Sequence, residues 1–177
     1  MKVDLIKNFE VENEPGIVWD YLVNPAEIVE CVPGVTLTDQ VNENTFKGIV
    51  GMKFGPINAN YNGEVVYEEV DKENYRIVLV GKGMDSKGKG SAEMKLELNL
   101  ESLAKGTAVK SQMTVSVIGM VAQFGSRLIS DVSDQIFNQF VGNFKRKLAG
   151  EELSDSDKNI KSGKMFGTVV KGLFSKK

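Results

Sequence analysis

The spacing of apolar residues changes once along this chain, at Gly119, and that change sets the fold class. Before Gly119, short segments alternate apolar and polar residues, as strands with one buried face do. The clearest segment contains Ala92, Met94, Leu96, Leu98 and Leu100. After Gly119 the repeat lengthens to about 3.6 residues, which indicates a helix. The sequence therefore predicts an antiparallel sheet followed by one long helix.

The helical repeat runs from Val121 to Leu148, which predicts one helix of about 28 residues, or roughly 42 Å at 1.5 Å per residue. Its apolar stripe consists of Val121, Phe124, Leu128, Val132, Ile136, Phe140, Phe144 and Leu148. Polar side chains, Arg127 and Asp134 among them, lie opposite, as expected for a helix packed on a core. Gly150 is the expected stop.

Two short helices are predicted directly after the first strand, which residues 2–12 form by alternation. Asn13 and Asn24 are candidate caps, and Pro15 and Pro25 occupy the first turns, where a missing N–H costs little. The remaining alternation gives about six further strands. The most economical packing is an α+β domain in which a curved antiparallel sheet of about seven strands wraps the long helix, with the short helices closing one end.

The chain contains no histidine and a single cysteine, Cys31. These counts exclude a Ser-His-Asp triad, a Cys-His pair, a histidine-containing zinc site and an intrachain disulfide. The formal net charge of -2 gives no basic footprint for nucleic acid. We therefore expect no catalytic residue, no metal site and no enzyme activity, and we interpret Cys31 as a small core residue.

Four glycines, Gly81, Gly83, Gly88 and Gly90, superficially match a phosphate-binding loop. Such a loop lies between a strand and the N-terminus of a helix. Here strands are predicted on both sides, so the run is interpreted as a tight, twisted hairpin.

Several segments of the chain resemble the G-subunit family of carbon monoxide dehydrogenase over residues 2–148. They are Cys31-Val32-Pro33-Gly34, Gly48-Ile49-Val50-Gly51, Gly55-Pro56, Tyr61-Asn62-Gly63, Gly81-Lys82-Gly83 with Lys87-Gly88, and Gly119 through Arg127. The resemblance implies the START-like, or helix-grip, fold, whose members bind apolar ligands between sheet and helix. It also implies association with a membrane-linked molybdenum hydroxylase.

Five methionines, Met52, Met84, Met94, Met113 and Met120, lie in the predicted sheet or at the start of the long helix. Methionine fills cores and also adapts to varied ligands, so core filling stays open as an explanation. With the helix-grip fold, we predict an apolar pocket. Its candidate lining residues are Trp19, Met52, Phe54, Tyr61, Leu79, Met94, Met113, Phe124 and Leu128. Alternation places Tyr61 inward with Ala59, so Tyr61 is the best candidate for a polar group in the pocket.

The last twenty residues carry six lysines and no acid, whereas residues 151–157 carry four acids and no base. On a helical wheel, aromatic and aliphatic residues of this tail face one way and lysines the other, as in an interfacial helix. The predicted membrane-binding residues are Lys161, Lys164, Phe166, Val170, Lys171, Leu173 and Phe174. The alternative is a helix that docks on the domain itself or on a protein partner.

The predicted organisation is a helix-grip domain at 1–150, a polar linker at 151–158 and a basic amphipathic tail at 159–177. We expect a non-catalytic carrier of a lipid or isoprenoid quinone, with no other cofactor, that links a molybdenum-containing carbon monoxide dehydrogenase to the membrane. An assembly or recruitment factor without carriage, and a START-like enzyme, are the alternatives. No apolar stretch approaches the length of a membrane span, and the N-terminus lacks the apolar core of a signal peptide. The expected location is the cytoplasm, peripherally at the inner face of the membrane.

Overall fold

A computed structural model of the chain describes residues 1–54 and 57–161, apart from the side chains of Phe54 and Ile57. The elements are β1 (Lys2–Val11), α1 (Pro15–Leu22), α2 (Pro25–Cys31), β2 (Val35–Gln40), β3 (Thr45–Phe54), β4 (Ile57–Asp71), β5 (Arg76–Asp85), β6 (Gly90–Leu103), β7 (Gly106–Gly119), a 3-10 turn (Val121–Phe124) and α3 (Gly125–Leu148). The predicted α+β architecture is confirmed, including the two short helices after the first strand.

The seven strands form one antiparallel sheet in the order β1-β7-β6-β5-β4-β3-β2. Each strand from β2 to β7 therefore pairs with its neighbours in sequence, and β1 joins the far edge beside β7. The register places inward side chains in rows across the sheet. One such row consists of Leu5, Met113, Leu96, Leu79 and Tyr67. The inner face of the sheet is thus apolar, as the alternation predicted.

The backbones of β4 and β5 approach each other closely where Gly63 pairs with Gly83, and glycine permits that approach. A Cβ atom built on Gly63 would lie 2.1 Å from the carbonyl oxygen of Lys82 and 2.7 Å from the Cα of Gly83. Both contacts are with backbone, so no side-chain rotation can relieve them. Glycine is the only residue that allows this approach.

Replacement of Gly63 by alanine is expected to destabilise the domain by about 1–3 kcal/mol, because the added methyl group forces the paired backbones apart. Gly16→Ala in α1 is the matched control, since nothing lies within 4 Å of a Cβ at that position. Alanine also favours helix, so the control is expected to be neutral or slightly stabilising. Urea unfolding of both variants measures the difference, and equal stabilities would contradict the close approach of the two strands at Gly63.

The long C-terminal helix is shorter than predicted. Val121 to Phe124 form a 3-10 turn, and Gly125 follows with a φ of 84°, which an α-helix cannot continue through. The α-helix then spans 24 residues, from Gly125 to Leu148. Its end agrees with prediction, because Gly150 adopts a φ of 81°. The break places Phe124 outside the apolar stripe of α3.

One of the two predicted helix caps is wrong. The side chain of Asn24 accepts a hydrogen bond from the amide of Ala26, as a cap does. At α1 the capping position is Glu14, which makes no side-chain cap bond. The carbonyl oxygen of Asn13 instead accepts a hydrogen bond of 2.7 Å from the hydroxyl of Thr107, which ties the turn after β1 to β7.

The two short helices and the C-terminal half of α3 close one end of the sheet. Phe144 is fully buried there, surrounded by the rings of Phe9, Phe140 and Tyr21 at centroid distances of 5.5–6.4 Å. On the outer side of α3, the ammonium group of Lys147 pairs with carboxylates of α2. We call this half of the molecule the closed end.

Residues 151–161, which we call the strap, return along α3 and are held against the domain. The carboxylate of Asp157 accepts hydrogen bonds from Ser154 and pairs with Arg146 at 3.0 Å and Lys161 at 3.1 Å. Its backbone oxygen accepts a hydrogen bond of 2.9 Å from the Asn143 amide group. Residues 151–158, predicted from their composition as a polar linker, are therefore bonded to the domain. Polar composition is compatible with such a bonded segment as well as with a free linker.

Hydrogen bonds from Ser154 and the neighbouring cations lower the pKa of the Asp157 carboxyl below its ordinary range. The stabilisation is therefore fully present above the unfolded-state pKa, about 3.9, and is lost as pH falls below it. We expect Asp157→Asn to be less stable than the parent at neutral pH, by a difference that shrinks from about pH 4 downwards. Urea unfolding at several pH values measures this, and a pH-independent difference would contradict it.

Candidate ligand-binding cavity

Burial divides the inner face of the sheet into two packed zones and one incompletely packed zone. At the closed end, inward side chains such as Ile77 and Val109 are fully buried beneath α1, α2 and α3. A second packed zone joins β1 and β7 to the start of α3 through Val3, Val117 and Ile129. In the third zone, inward apolar side chains of β3 to β7 keep part of their surface exposed. They include Val50, Met52, Leu79, Met94, Leu96 and Met113.

The third zone holds most of the predicted lining residues. Side chains that face the helix layer yet are not fully buried border space that the protein itself does not fill. Met52 and Met94 reach it from the sheet, and Leu128 is half-buried on α3. Leu79 and Met113 lie at its borders, because Leu79 also packs against the closed-end core and Met113 against the second packed zone. We therefore treat the space between β3–β7 and the first half of α3 as the candidate cavity.

Three predicted lining residues stand apart from this group. Trp19 lies in the packed core of the closed end, with its ring 5.5 Å from that of Tyr75, so it supports the fold rather than the candidate cavity. Phe124 ends the 3-10 turn and is 38% exposed. The side chain of Phe54 lies outside the described part of the structure.

Tyr61 occupies the inward position predicted for it, buried beside Ala59. It borders a cleft of about 50 Å³ that opens at the end of the sheet opposite the closed end, which we call the mouth. The other residues around the cleft are Asn58, Ala59, Asp85, Lys87, Lys89, Met120 and Val121. Burial, and then the charge of Asp85, raise the pKa of the Tyr61 phenol, which keeps it protonated. The phenol can therefore donate a hydrogen bond to a ligand oxygen.

An ion pair between Lys7 and Asp134 crosses from β1 to α3 and was not predicted. It lies between the two packed zones, in the same row as Ser111, whose hydroxyl donates to the backbone oxygen of Lys7. The signal was present in the sequence, because Lys7 occupies an inward position between Leu5 and Phe9. An inward lysine in a strand requires a carboxylate on the element that covers it.

A furrow of about 750 Å³ crosses the opposite, outward face of the sheet. Charged residues paired across four strands form one wall, in the order Lys47, Glu64, Lys82 and Glu93. Ile49 and Met84 contribute to the other wall. The furrow is open to solvent and bordered by charges, so it differs from the enclosed apolar pocket that was predicted.

Cys31 is fully buried in the closed end. Burial raises the pKa of its thiol to about 11, so the thiol is protonated at neutral pH. A protonated, enclosed thiol is a poor nucleophile, in keeping with the interpretation of Cys31 as a core residue.

A family model for CoxG, the G subunit of carbon monoxide dehydrogenase, matches residues 8–149. The chain belongs to the CoxG family. The family name associates its members with carbon monoxide dehydrogenase, and the matched range contains the whole candidate cavity. A comparison with curated proteins gives no match.

Solved structures similar to this CoxG family member share its fold at low sequence identity. A conserved protein from Geobacillus kaustophilus has a TM-score of 0.76 at 18% identity and covers 84% of this chain and 96% of its own. Ara h 8.0201 has a TM-score of 0.56 at 12% identity, with coverages of 85% and 100%. The Zhui aromatase/cyclase from a Streptomyces species has a TM-score of 0.56 at 10% identity, with coverages of 86% and 100%. These likenesses establish the START-like helix-grip fold.

Of the predicted membrane-binding residues, only Lys161 falls within the described residues. It is exposed, but its ammonium group lies 3.1 Å from the Asp157 carboxylate. Lys164, Phe166, Val170, Lys171, Leu173 and Phe174 lie outside the described residues. Within residues 1–54 and 57–161, no helix is long and apolar enough to cross a membrane.

Proposed function

We propose that this member of the CoxG family is a non-catalytic carrier of a hydrophobic molecule. The observation that carries the proposal is the group of incompletely buried apolar side chains on the inner face of the sheet, opposite the first half of α3. Three of them, Met52, Met94 and Met113, are methionines, whose unbranched, polarisable side chains adapt to ligands of irregular shape. The space they border is apolar, and such sites are the usual binding places of small hydrophobic ligands.

A lipid or an isoprenoid quinone is the proposed ligand. A quinone combines a long apolar chain with two carbonyl oxygens, and the Tyr61 phenol at the mouth supplies a donor for one of them. The half-exposed methionines would contact the apolar chain. The proposed partner is a molybdenum-containing carbon monoxide dehydrogenase, on the strength of family membership alone, and a carried quinone would accept the electrons that this enzyme removes from its substrate.

The proposed location is the cytoplasmic face of the membrane, with the basic tail as the anchor. Lysines near an anionic leaflet contribute up to about 1 kcal/mol each, and apolar tail residues add to this as they enter the interface. Flotation of the full chain with anionic liposomes, compared with a chain ending at residue 161, tests the anchor. We expect the truncated chain to float at least tenfold less, and equal flotation would instead favour a protein-binding tail.

Transfer of quinone between two vesicle populations tests the carrier function. Donor vesicles contain ubiquinone-10, acceptor vesicles contain none, and the two are separated by density after incubation with the full chain. We expect the protein to accelerate transfer at least tenfold over vesicles alone. Transfer at the rate of vesicles alone would contradict carriage.

A recruitment or assembly factor without carriage is the second candidate. The furrow on the outer face favours it, because a groove with a volume of about 750 Å³ and alternating charges along one wall can contact a folded protein. Flotation without transfer, together with retention of the dehydrogenase on the same liposomes, would support this candidate over the carrier.

A further inference from the structure

Four large apolar side chains project into solvent at the end of the sheet where the mouth opens, and we call them the rim. Met84 and Ile118 lie on the outer face of the sheet, and Met120 and Phe124 follow β7. Their exposed fractions are 64% for Met84, 67% for Ile118, 43% for Met120 and 38% for Phe124. Met84 and Ile118 are neighbours across the sheet, because both pair with Ser91. Met120 and Phe124 come shortly after Ile118 along the chain. Exposed apolar groups gathered at one place indicate a binding surface, whereas scattered ones do not.

The rim is accompanied by positive charge. Lys53, Lys87, Lys89 and Arg127 are exposed at the same end of the sheet, and two of these lysines border the mouth together with Met120. The nearest acid, Asp85, uses one carboxylate oxygen to accept hydrogen bonds from the backbone amides of Lys87 and Lys89. This basic end contrasts with the net charge of -2 for the whole chain.

The closed end provides an internal comparison. It also exposes large apolar side chains, but they lie apart from one another, in α1, the β2–β3 turn, β4 and β6: Ile17 at 47%, Val41 at 51%, Val70 at 48% and Leu103 at 36%. The residues around Ile17 are acidic, since Glu12, Glu14 and Asp20 are its neighbours along the chain. An anionic surface would attract the basic mouth and repel the acidic surface around Ile17, and only the rim combines gathered apolar side chains with neighbouring cations and a cleft.

We propose that the rim docks directly on an anionic lipid bilayer, so that the mouth of the cavity faces the acyl chains. The rim's apolar side chains enter the interface while the lysines and Arg127 contact headgroups with their charged ends. This contact belongs to the folded domain and is separate from the tail. The inference rests on the proposed carrier function, because a docked mouth gives a hydrophobic ligand a path that avoids water.

A tryptophan placed on the rim reports this contact directly. The single natural tryptophan, Trp19, is buried in the closed end and provides a constant background. The full-length variant Phe124→Trp is mixed with vesicles of phosphatidylglycerol and brominated phosphatidylcholine, whose bromine atoms quench nearby indoles. We expect at least half of the added emission to be quenched, with a shift to shorter wavelength. The matched control is Ile17→Trp at the closed end, for which we expect no quenching of the added emission.

A second pair of variants tests the charge. Lys87→Glu combined with Lys89→Glu, in the Phe124→Trp background, is expected to reduce the quenching at least twofold. Lys72→Glu combined with Lys105→Glu, exposed at the opposite end, is the control and is expected to leave it unchanged. An equal reduction of quenching in both double variants would show a general loss of electrostatic attraction and would overturn the rim as the docking surface.

The outcomes separate this inference from the carrier proposal and from the tail. Flotation without quenching at position 124 overturns the rim and leaves the tail as the sole anchor. Equal quenching at positions 17 and 124 also overturns it, because the domain then has no fixed orientation. Absence of all vesicle binding overturns it as well. Quenching at position 124 alone supports the rim even where quinone transfer fails, in which case only carriage is contradicted.

Discussion

Truncation of Phe144 to alanine is expected to cost about 3–5 kcal/mol of folding free energy, among the largest stability effects of a single substitution in this chain. The side chain has no exposed surface and lies where α3 meets β1 and α1. Its ring packs against Phe9 at 6.0 Å, Phe140 at 5.5 Å and Tyr21 at 6.4 Å. Alanine would leave a cavity lined by three rings from three different elements. These elements cannot all move inwards to fill it, so the surrounding structure relaxes little.

Denaturation in urea, followed by circular dichroism, measures this loss. Phe124→Ala is the matched control, since it removes the same ring from a site that is 38% exposed, and it is expected to change stability by less than about 0.5 kcal/mol. Similar losses in the two variants would mean that the closed end is not the principal core.

Filling the candidate cavity from the sheet should abolish ligand binding while the fold is kept. Gly81 lies on the inner face of β5, opposite Met94, and a Cβ atom at Gly81 would come no closer than 3.4 Å to the end of the Met94 side chain. A leucine at position 81 therefore projects into the half-exposed zone without meeting backbone. We expect Gly81→Leu to weaken binding of an apolar fluorescent probe about a hundredfold, equivalent to about 2.7 kcal/mol.

The neighbouring position gives the matched control. Val80 precedes Gly81 on the same strand and points to the opposite face, so Val80→Leu places a leucine on the same strand but outside the cavity. We expect Val80→Leu to bind the probe as the parent does. Unchanged probe binding in a folded Gly81→Leu protein would place the ligand elsewhere.

The fold was predictable because its strands are long and alternate through most of their length, with register shifts only near Thr38 in β2 and Glu68 in β4. Tyr61 and Ala59 were assigned to the inner face by period alone, and both are buried there. The turn between β5 and β6, which resembled a phosphate loop, is a hairpin with Gly88 at a φ of 69°. Local spacing determines these features, so a single sequence contains the information.

Features that depend on contacts between distant segments were not predictable in the same way. The strap looks like a linker because Asp157 and Ser154 are polar, and only the structure shows Asn143 and Arg146 bonding to it from α3. The break before α3 depends on the backbone conformation of Gly125, and the helical period of apolar residues does not reveal it.

The candidate site was predicted in part for the same reason. Met52, Met94 and Met113 follow from alternation, which sets the face of a strand. Trp19 also has an apolar inward position, but burial at the closed end depends on how α1 packs against the turn that contains Tyr75. Periodicity predicts on which face of the sheet each side chain lies. It does not predict which part of that face α3 leaves uncovered.

Native mass spectrometry of the full-length protein tests the central claim, that the space between sheet and helix holds a hydrophobic molecule. After incubation with ubiquinone-2, we expect one added quinone per chain, released on collisional activation and absent from Gly81→Leu. A spectrum that shows only the bare chain for the parent protein, under conditions in which the fold is intact, would contradict the claim. Binding of equal extent to the parent and to Gly81→Leu would contradict it as well.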